Sequence, residues 1–139
     1  MKLVNKLLIT VFAILTVIAI YFFIYYSNNQ DLNDVKVEGY VFNSNNMPLK
    51  NVKVTVVNER YENDNGLKNY DEYLGQDRIE LKTDDKGYYS TVLKKSAYVY
   101  ILLQKGGYKS IEEKGKHAKK SLFLKLKCIL INPTAFRWQ

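Results

Sequence analysis

The sequence predicts an all-β sandwich of about seven short antiparallel strands carried behind one transmembrane α-helix. Three observations lead there. Leu7 to Tyr26 is a run of twenty residues without a charge, long enough as a helix to span about 30 Å of hydrocarbon. Beyond it, apolar residues recur with period two between turn-forming clusters. No second stretch of the chain holds a helical period.

The helix comes first. Lys2 and Lys6 precede it, and Asp31 and Asp34 are among the first charges after it. Positive charge stays on the cytoplasmic side, so residues 1–6 are expected inside and the chain beyond the helix outside, in a single-pass protein of the cell membrane. Tyr21, Phe22, Phe23, Tyr25 and Tyr26 crowd the exit end, where amphipathic rings suit the headgroup zone. A cleaved signal peptide would have a shorter apolar core and a small-x-small site. This run ends instead in bulky rings and Ser27-Asn28-Asn29, and no cysteine nearby offers a lipid-attachment site. The expectation is therefore an uncleaved signal anchor over 7–26, contacting the lipid bilayer. Thr10, Ala13, Thr16 and Ala19 place small or hydroxyl residues at three-residue steps along it, as a helix–helix face or as ordinary lipid-facing positions.

Setting aside the first 30 of 139 residues leaves 109, enough for one domain with its own core. The formal charge of +7 is unevenly spread: residues 59–80 hold seven acids against three bases, and residues 86–139 hold twelve bases against two acids. An acidic loop beside a basic face suits charged proteins, anionic glycans or lipid headgroups, and export argues against nucleic acid. Cys128 is the lone cysteine. It forms no internal disulfide and shares the parity of Leu122, Leu124, Leu126 and Leu130, so a buried, inert thiol is expected.

Residues 27–34 read as a polar spacer, and 35–131 as the sandwich. Val35, Val37 and Val41 alternate with Lys36, Glu38 and Tyr40; after a turn at 43–50, Val52, Val54 and Val56 alternate with Lys53 and Thr55. Residues 58–78 break the rhythm and read as a long acidic surface loop with one helical turn around Leu67–Leu74. Strands resume at Ile79–Thr83, Tyr88–Leu93 and Ala97–Gln104, the last apolar on both parities and so central. Lys105-Gly106-Gly107 turns the chain into Tyr108–Ile111, 112–120 reads as a charged hairpin loop, and Ser121–Leu130 as the last long strand. Residues 132–139 form a tail in which Phe136 and Trp138 are candidates to fold back.

These residues also carry a family resemblance. Val37-x-Gly39-x-Val41 followed by Pro48-Leu49 and the Val52, Val54, Val56 series resembles the opening of carboxypeptidase regulatory-like domains. Thr83-Asp84-Asp85-Lys86-Gly87-Tyr88-Tyr89 is similar to that family's T-D-x-x-G-x-[FY] turn, and Tyr98-x-Tyr100-x-Leu102 with Gly107-Tyr108 to its closing pattern. The likeness covers roughly residues 35–130. It implies an Ig-like or transthyretin-like sandwich and, for function, a structural or binding module. Within it Asp84 is expected to bond the amides of its own turn, Gly87 to take a positive φ, and Tyr89 or Tyr108 to plug the core; Thr83 and Gly107 complete the structural turns.

Catalysis finds little support. Hydroxyisourate hydrolases, which share the implied fold, use several histidines with an arginine and end in Y-R-G-S; here His117 is the single histidine and the chain ends Phe136-Arg137-Trp138-Gln139. Asp84-Asp85 and Glu112-Glu113 are neighbours that a strand would point to opposite faces. Glu62, Asp64, Asp71 and Glu72 lack the spacing of a calcium loop. The internal Lys–Asn isopeptide bond of related surface sandwiches wants an acid where this chain has Gln104. No cofactor or metal is therefore expected, and the protein reads as a non-enzyme. Arg60, Tyr61, Tyr70, Tyr73 and Arg78 supply the residue types that anchor protein interfaces. The expected function is a membrane-anchored, extracytoplasmic binding or scaffolding domain with a protein partner in the cell envelope. Its alternatives are an immunity-type inhibitor of a periplasm- or membrane-directed toxin, and a glycan-binding module using rings such as Tyr40, Tyr88 and Trp138.

Overall fold

The computed structural model of the chain describes residues 2–128, and falls into two compact units, Met1–Gln30 and Asp31–Gln139. The tail at 132–139, with Phe136 and Trp138, and the expected inward position of Leu130 lie outside the described residues. The first unit is helix α1, Lys2–Asn28, with no side chain buried and a mean hydropathy of 2.9 over its most apolar window. It is long and apolar enough to cross a membrane, a property it shares with signal sequences. Thr10 and Thr16 donate their hydroxyls to the carbonyls of Lys6 and Phe12 at 3.0 and 2.9 Å, so both are satisfied within the helix.

The second unit holds seven strands: β1 Leu32–Phe42, β2 Lys53–Arg60, β3 Gly75–Lys82, β4 Tyr88–Ser96, β5 Tyr98–Gln104, β6 Ile111–His117 and β7 Ser121–Lys127. They form a three-stranded sheet in the order β4-β1-β7 and a four-stranded sheet in the order β3-β2-β5-β6. The core lies between the sheets. Val35, Val37, Val41, Tyr89, Leu93, Leu122, Leu124 and Leu126 come from the first, and Val54, Val56, Val99, Ile101 and Leu103 from the second. These are the inward positions of the alternation, and their burial supplies the hydrophobic drive in a unit without a disulfide. Cys128, buried at 1 % exposure, belongs to the same cluster. Burial pushes its thiol pKa up, which keeps it protonated and unreactive.

Four expectations need correction. The sandwich is not wholly antiparallel: β7 runs parallel to β1, with Gly39 opposite Leu124. The cause lies in the connection, since β7 starts three residues after β6 ends in the other sheet and enters along the free edge of β1. β1 starts at Leu32 rather than Val35, because the residues read as spacer already pair with β4. The irregular stretch is not 58–78 but 61–74, and no helical turn forms in it; β2 continues through Arg60 and β3 starts at Gly75, pairing Asn58 with Asp77 and Arg60 with Gly75. Finally, 112–117 belongs to β6 rather than to a hairpin loop, paired with β5 through a register shift between Val99 and Ile101.

Two glycines are needed for steric reasons. A Cβ on Gly39 would lie 2.0 Å from the Leu124 carbonyl oxygen, so the close approach of β7 requires its absence. Gly87 has φ +73° and would press a Cβ within 2.5 Å of the Val41 carbonyl oxygen. Around it, Asp84 Oδ1 accepts from the amides of Lys86 and Tyr88 at 2.9 Å each, and Val41 N–H donates to the Gly87 carbonyl at 2.9 Å. Thr83 ties this turn to the core: its buried hydroxyl donates to the Leu49 carbonyl at 2.6 Å and accepts from the Val52 amide at 2.9 Å. Gly107, at φ +80°, is the third residue of a tight turn closed by Tyr108 N–H on the Lys105 carbonyl, and Tyr108 packs partly buried against the core.

Candidate functional site

The β2–β3 connection is ordered from its base upward. Asn63 Oδ1 accepts from the amides of Asn65 and Leu67 at 2.9 and 3.0 Å, Gly66 takes φ +80°, and Glu62 bridges Lys68, giving a small hairpin nested in the larger one. Asp31 holds its near end, accepting from the amides of Tyr61 and Glu62 at 2.8 and 3.1 Å.

Arg60 is the hub beneath it. Its position on β2 has core parity, so the side chain turns inward at the open seam between the sheets and is 10 % exposed. Nη2 donates to Asp64 Oδ1 at 2.8 Å and Asp77 Oδ1 at 3.2 Å, and Nη1 donates to the Glu62 carbonyl at 3.2 Å. Nε lies 3.1 Å from Asp77 Oδ2 but is not aligned as a donor; the pair is electrostatic there. The bond to Asp64 raises the guanidinium's pKa further, so it stays charged throughout. Gly75 lies opposite, where a Cβ would come within 2.9 Å of the guanidinium carbon. Asn58 donates to Asp77 at 3.1 Å and to the Lys95 carbonyl at 2.8 Å, and Lys95 reaches Glu62 at 2.7 Å. The hydrogen bond from Lys95 holds the Glu62 carboxyl below its usual pKa. A cleft of about 620 Å³ opens here between the β3 and β4 edges, its walls set by these ion pairs.

A stripe of rings runs from the same connection onto the four-stranded sheet. Tyr61 and Tyr73 have centroids 4.9 Å apart, Tyr73 and Tyr98 stack at 5.9 Å, and Tyr98 meets His117 edge-on at 5.3 Å. Tyr98 points out of the four-stranded sheet because its neighbours Val99, Ile101 and Leu103 take the inward parity. Its ring lies over Gly115, where a Cβ would come within 2.1 Å of it. Desolvation in the stripe, then a hydrogen bond with Tyr61, pushes the Tyr73 phenol up to about 12, although 37 % of the residue still meets water.

Of the five residues expected to form a binding surface, the structure brings Tyr61 and Tyr73 into the stripe and turns Arg60 inward, where it ties the base of the connection to Asp64, Asp77 and the Glu62 carbonyl. Tyr70 is half-buried elsewhere in the connection, and Arg78 is exposed on β3 opposite Val57. Tyr98 and His117 were not anticipated at the site. The parity of Tyr98 was readable, but the pairing of β5 with β6 that sets His117 beside it was not. Glu62 and Asp64, weighed above as calcium ligands, are engaged by Lys95, Lys68 and Arg60. Among the described residues no three His, Cys, Asp or Glu side chains converge as metal donors.

A second aromatic group lies on the outer face of the three-stranded sheet. Tyr40 packs against Phe42 at 6.1 Å, Tyr88 at 5.1 Å and Phe123 at 6.0 Å. The Tyr88 hydroxyl donates to Glu38 at 2.6 Å, and Lys36 pairs with the same carboxylate at 2.7 Å, an arrangement that lowers the Glu38 pKa, the Lys36 bond contributing most.

No protein-family model matches the chain, and no curated protein matches it in sequence. Solved structures do resemble it in shape. 3-Chlorocatechol 1,2-dioxygenase from Rhodococcus opacus 1CP superposes with a TM-score of 0.52 at 12 % identity, over 74 % of this chain and 62 % of that one. Wild-type catechol 1,2-dioxygenase from Acinetobacter radioresistens gives 0.51 at 11 % identity, over 78 % and 55 %. Hydroxyquinol 1,2-dioxygenase from Pseudomonas putida DLL-E4 gives 0.51 at 11 %, over 73 % and 58 %. The likeness is one of fold. The chain spans between half and two thirds of each of these enzymes, and at such identity the β-sandwich is what they share.

Proposed function

We propose that this protein is a single-pass, signal-anchored membrane protein whose extracytoplasmic β-sandwich is a non-enzymatic binding domain working through protein contacts in the cell envelope. The N-terminus lies in the cytoplasm, by the placement of Lys2 and Lys6. We assign the sandwich to the carboxypeptidase regulatory-like kind; the Thr83–Tyr89 turn, its Asp84 amide bonds and the positive φ of Gly87 support that reading.

The observation that carries the function is the stripe Tyr61–Tyr73–Tyr98–His117. Tyrosines give large contact area for few rotatable bonds, and rings already stacked lose little further freedom on binding. The connection beneath them is fixed by ion pairs and amide caps, so the surface is formed before a partner arrives. An inhibitor of an envelope-directed toxin would use the same surface, and the partner's identity separates the two.

The test is a photo-crosslinking amino acid at Tyr73 in the full-length protein in its native membrane. One dominant, stoichiometric adduct is expected, reduced about tenfold or more by Tyr98→Ala, as for a hot-spot residue. A dispersed set of weak adducts, or none, refutes the proposal.

A further inference from the structure

The outer face of the three-stranded sheet has a composition the protein-binding reading leaves unused. Along β4 it presents Tyr88, Ser90, Val92 and Lys94; along β1 Lys36, Glu38, Tyr40 and Phe42; along β7 Ser121, Phe123, Lys125 and Lys127. Tyr40 and its three ring neighbours occupy the middle. Phe123 and Val92 stay 52 % and 57 % exposed on this face. Two carboxylates share the face: Glu38, held by Lys36 and the Tyr88 hydroxyl, and Asp34 at the start of β1. Among the described residues no carboxylate pairs with Lys94, Lys125 or Lys127, and all three are exposed.

Covalent connection decides what such a face meets first. α1 ends at Asn28 and β1, the central strand of this sheet, begins at Leu32. The four steps from Asn28 to Leu32 reach at most about 14 Å when extended. Asp31, the residue before Leu32, is already fastened to the amides of Tyr61 and Glu62. On the membrane-anchor reading proposed above, on which this inference rests, a domain so tethered stays at the surface of the bilayer that holds α1, where lipid is present at a far higher effective concentration than any free ligand. Aromatic rings with lysines around them are the chemistry of that zone: the rings settle at the headgroup level, and the lysines extend their apolar stems inward while their ammonium groups meet phosphate.

We propose that this face, with Tyr40, Phe42, Tyr88 and Phe123 at its centre and Lys94, Lys125 and Lys127 at its border, lies against the anionic lipid headgroups of the protein's own membrane. Docked in this way, the three-stranded sheet faces lipid and the tyrosine stripe, on the four-stranded sheet, is held away from it and open to a partner. The contact does not depend on what that partner is.

The full-length protein is reconstituted into nanodiscs of phosphatidylcholine alone or with a third phosphatidylglycerol, and spin-labelled at Val92→Cys or, on the opposite sheet, at Arg78→Cys. Both sites are exposed, and buried Cys128 does not compete for the label. Collision with a nickel-chelating lipid is then read at each site. In anionic discs the Val92 site is expected to collide at least about threefold more often than the Arg78 site. The excess is expected to fall to near unity in Lys94→Gln/Lys125→Gln/Lys127→Gln protein, in pure phosphatidylcholine, or at about 0.5 M salt. Equal collision at the two sites in anionic discs overturns the proposal. So does an excess that persists unchanged without the lysines or without anionic lipid, or one that forms only when an anionic glycan or a second protein is added.

Discussion

Replacing Thr83 with valine tests the join between the Asp84 turn and the core. The hydroxyl is buried, with the residue 2 % exposed, and makes two bonds to backbone: it accepts from the Val52 amide at 2.9 Å and donates to the Leu49 carbonyl at 2.6 Å. Valine fills nearly the same volume but leaves both backbone groups buried and unpaired. Each such group costs about 1–3 kcal/mol, and the added methyl returns roughly 1 kcal/mol of burial, for a net loss of about 3 kcal/mol. For a unit of this size that lowers the melting temperature by roughly 10 °C or more. Thr83→Ser keeps the hydroxyl and deletes a methyl, at about 1 kcal/mol. Urea unfolding of the full chain in detergent, followed by β-sheet circular dichroism, separates the pair provided the slopes agree. If Thr83→Val is no less stable than Thr83→Ser, the two bonds are not what secures the turn.

Gly39→Ala would set a methyl 2.0 Å from the Leu124 carbonyl oxygen, backbone that yields only if β7 parts from β1. A loss above about 2 kcal/mol is expected in the same assay, and a neutral result would reject the parallel pairing. Tyr73 carries an alkaline signature. Because its folded pKa is raised from 10.0 to about 12, its contribution to stability is complete below pH 10 and is lost as pH rises through about 12. Absorbance titration at the phenolate band should show one late-ionising tyrosine that Tyr73→Phe removes; unchanged curves would refute the packing of the stripe.

The inward residues were legible because alternation is a local property. Val35, Val37, Val41, Val52, Val54 and Val56 are all at 0 % exposure, where period two put them. The Thr83–Tyr89 turn was equally plain, since an Asp three residues before a Gly signals its own hydrogen bonds. Reading failed where polar residues face inward. Asn58 and Arg60 keep the strand's parity but not its apolarity, so β2 reads as stopping early and the connection as longer than it is. The site was half legible for a related reason. Tyr61 and Tyr73 were visible as residue types, whereas Tyr98 and His117 join them only through strand pairing. The parallel run of β7 beside β1 is set by where β6 ends, and no periodicity in 121–127 encodes it.

The place of β1 also has a mechanical side. It is the strand joined to α1, and it is the central one, with the antiparallel ladder of β4 on one edge and the parallel ladder of β7 on the other. A load applied through the short connection from α1 reaches the domain first at β1, whose hydrogen bonds on the β4 side lie roughly perpendicular to the strand. A load that enters there is shared by the whole three-stranded sheet, because β1 cannot leave the domain without breaking both of its ladders.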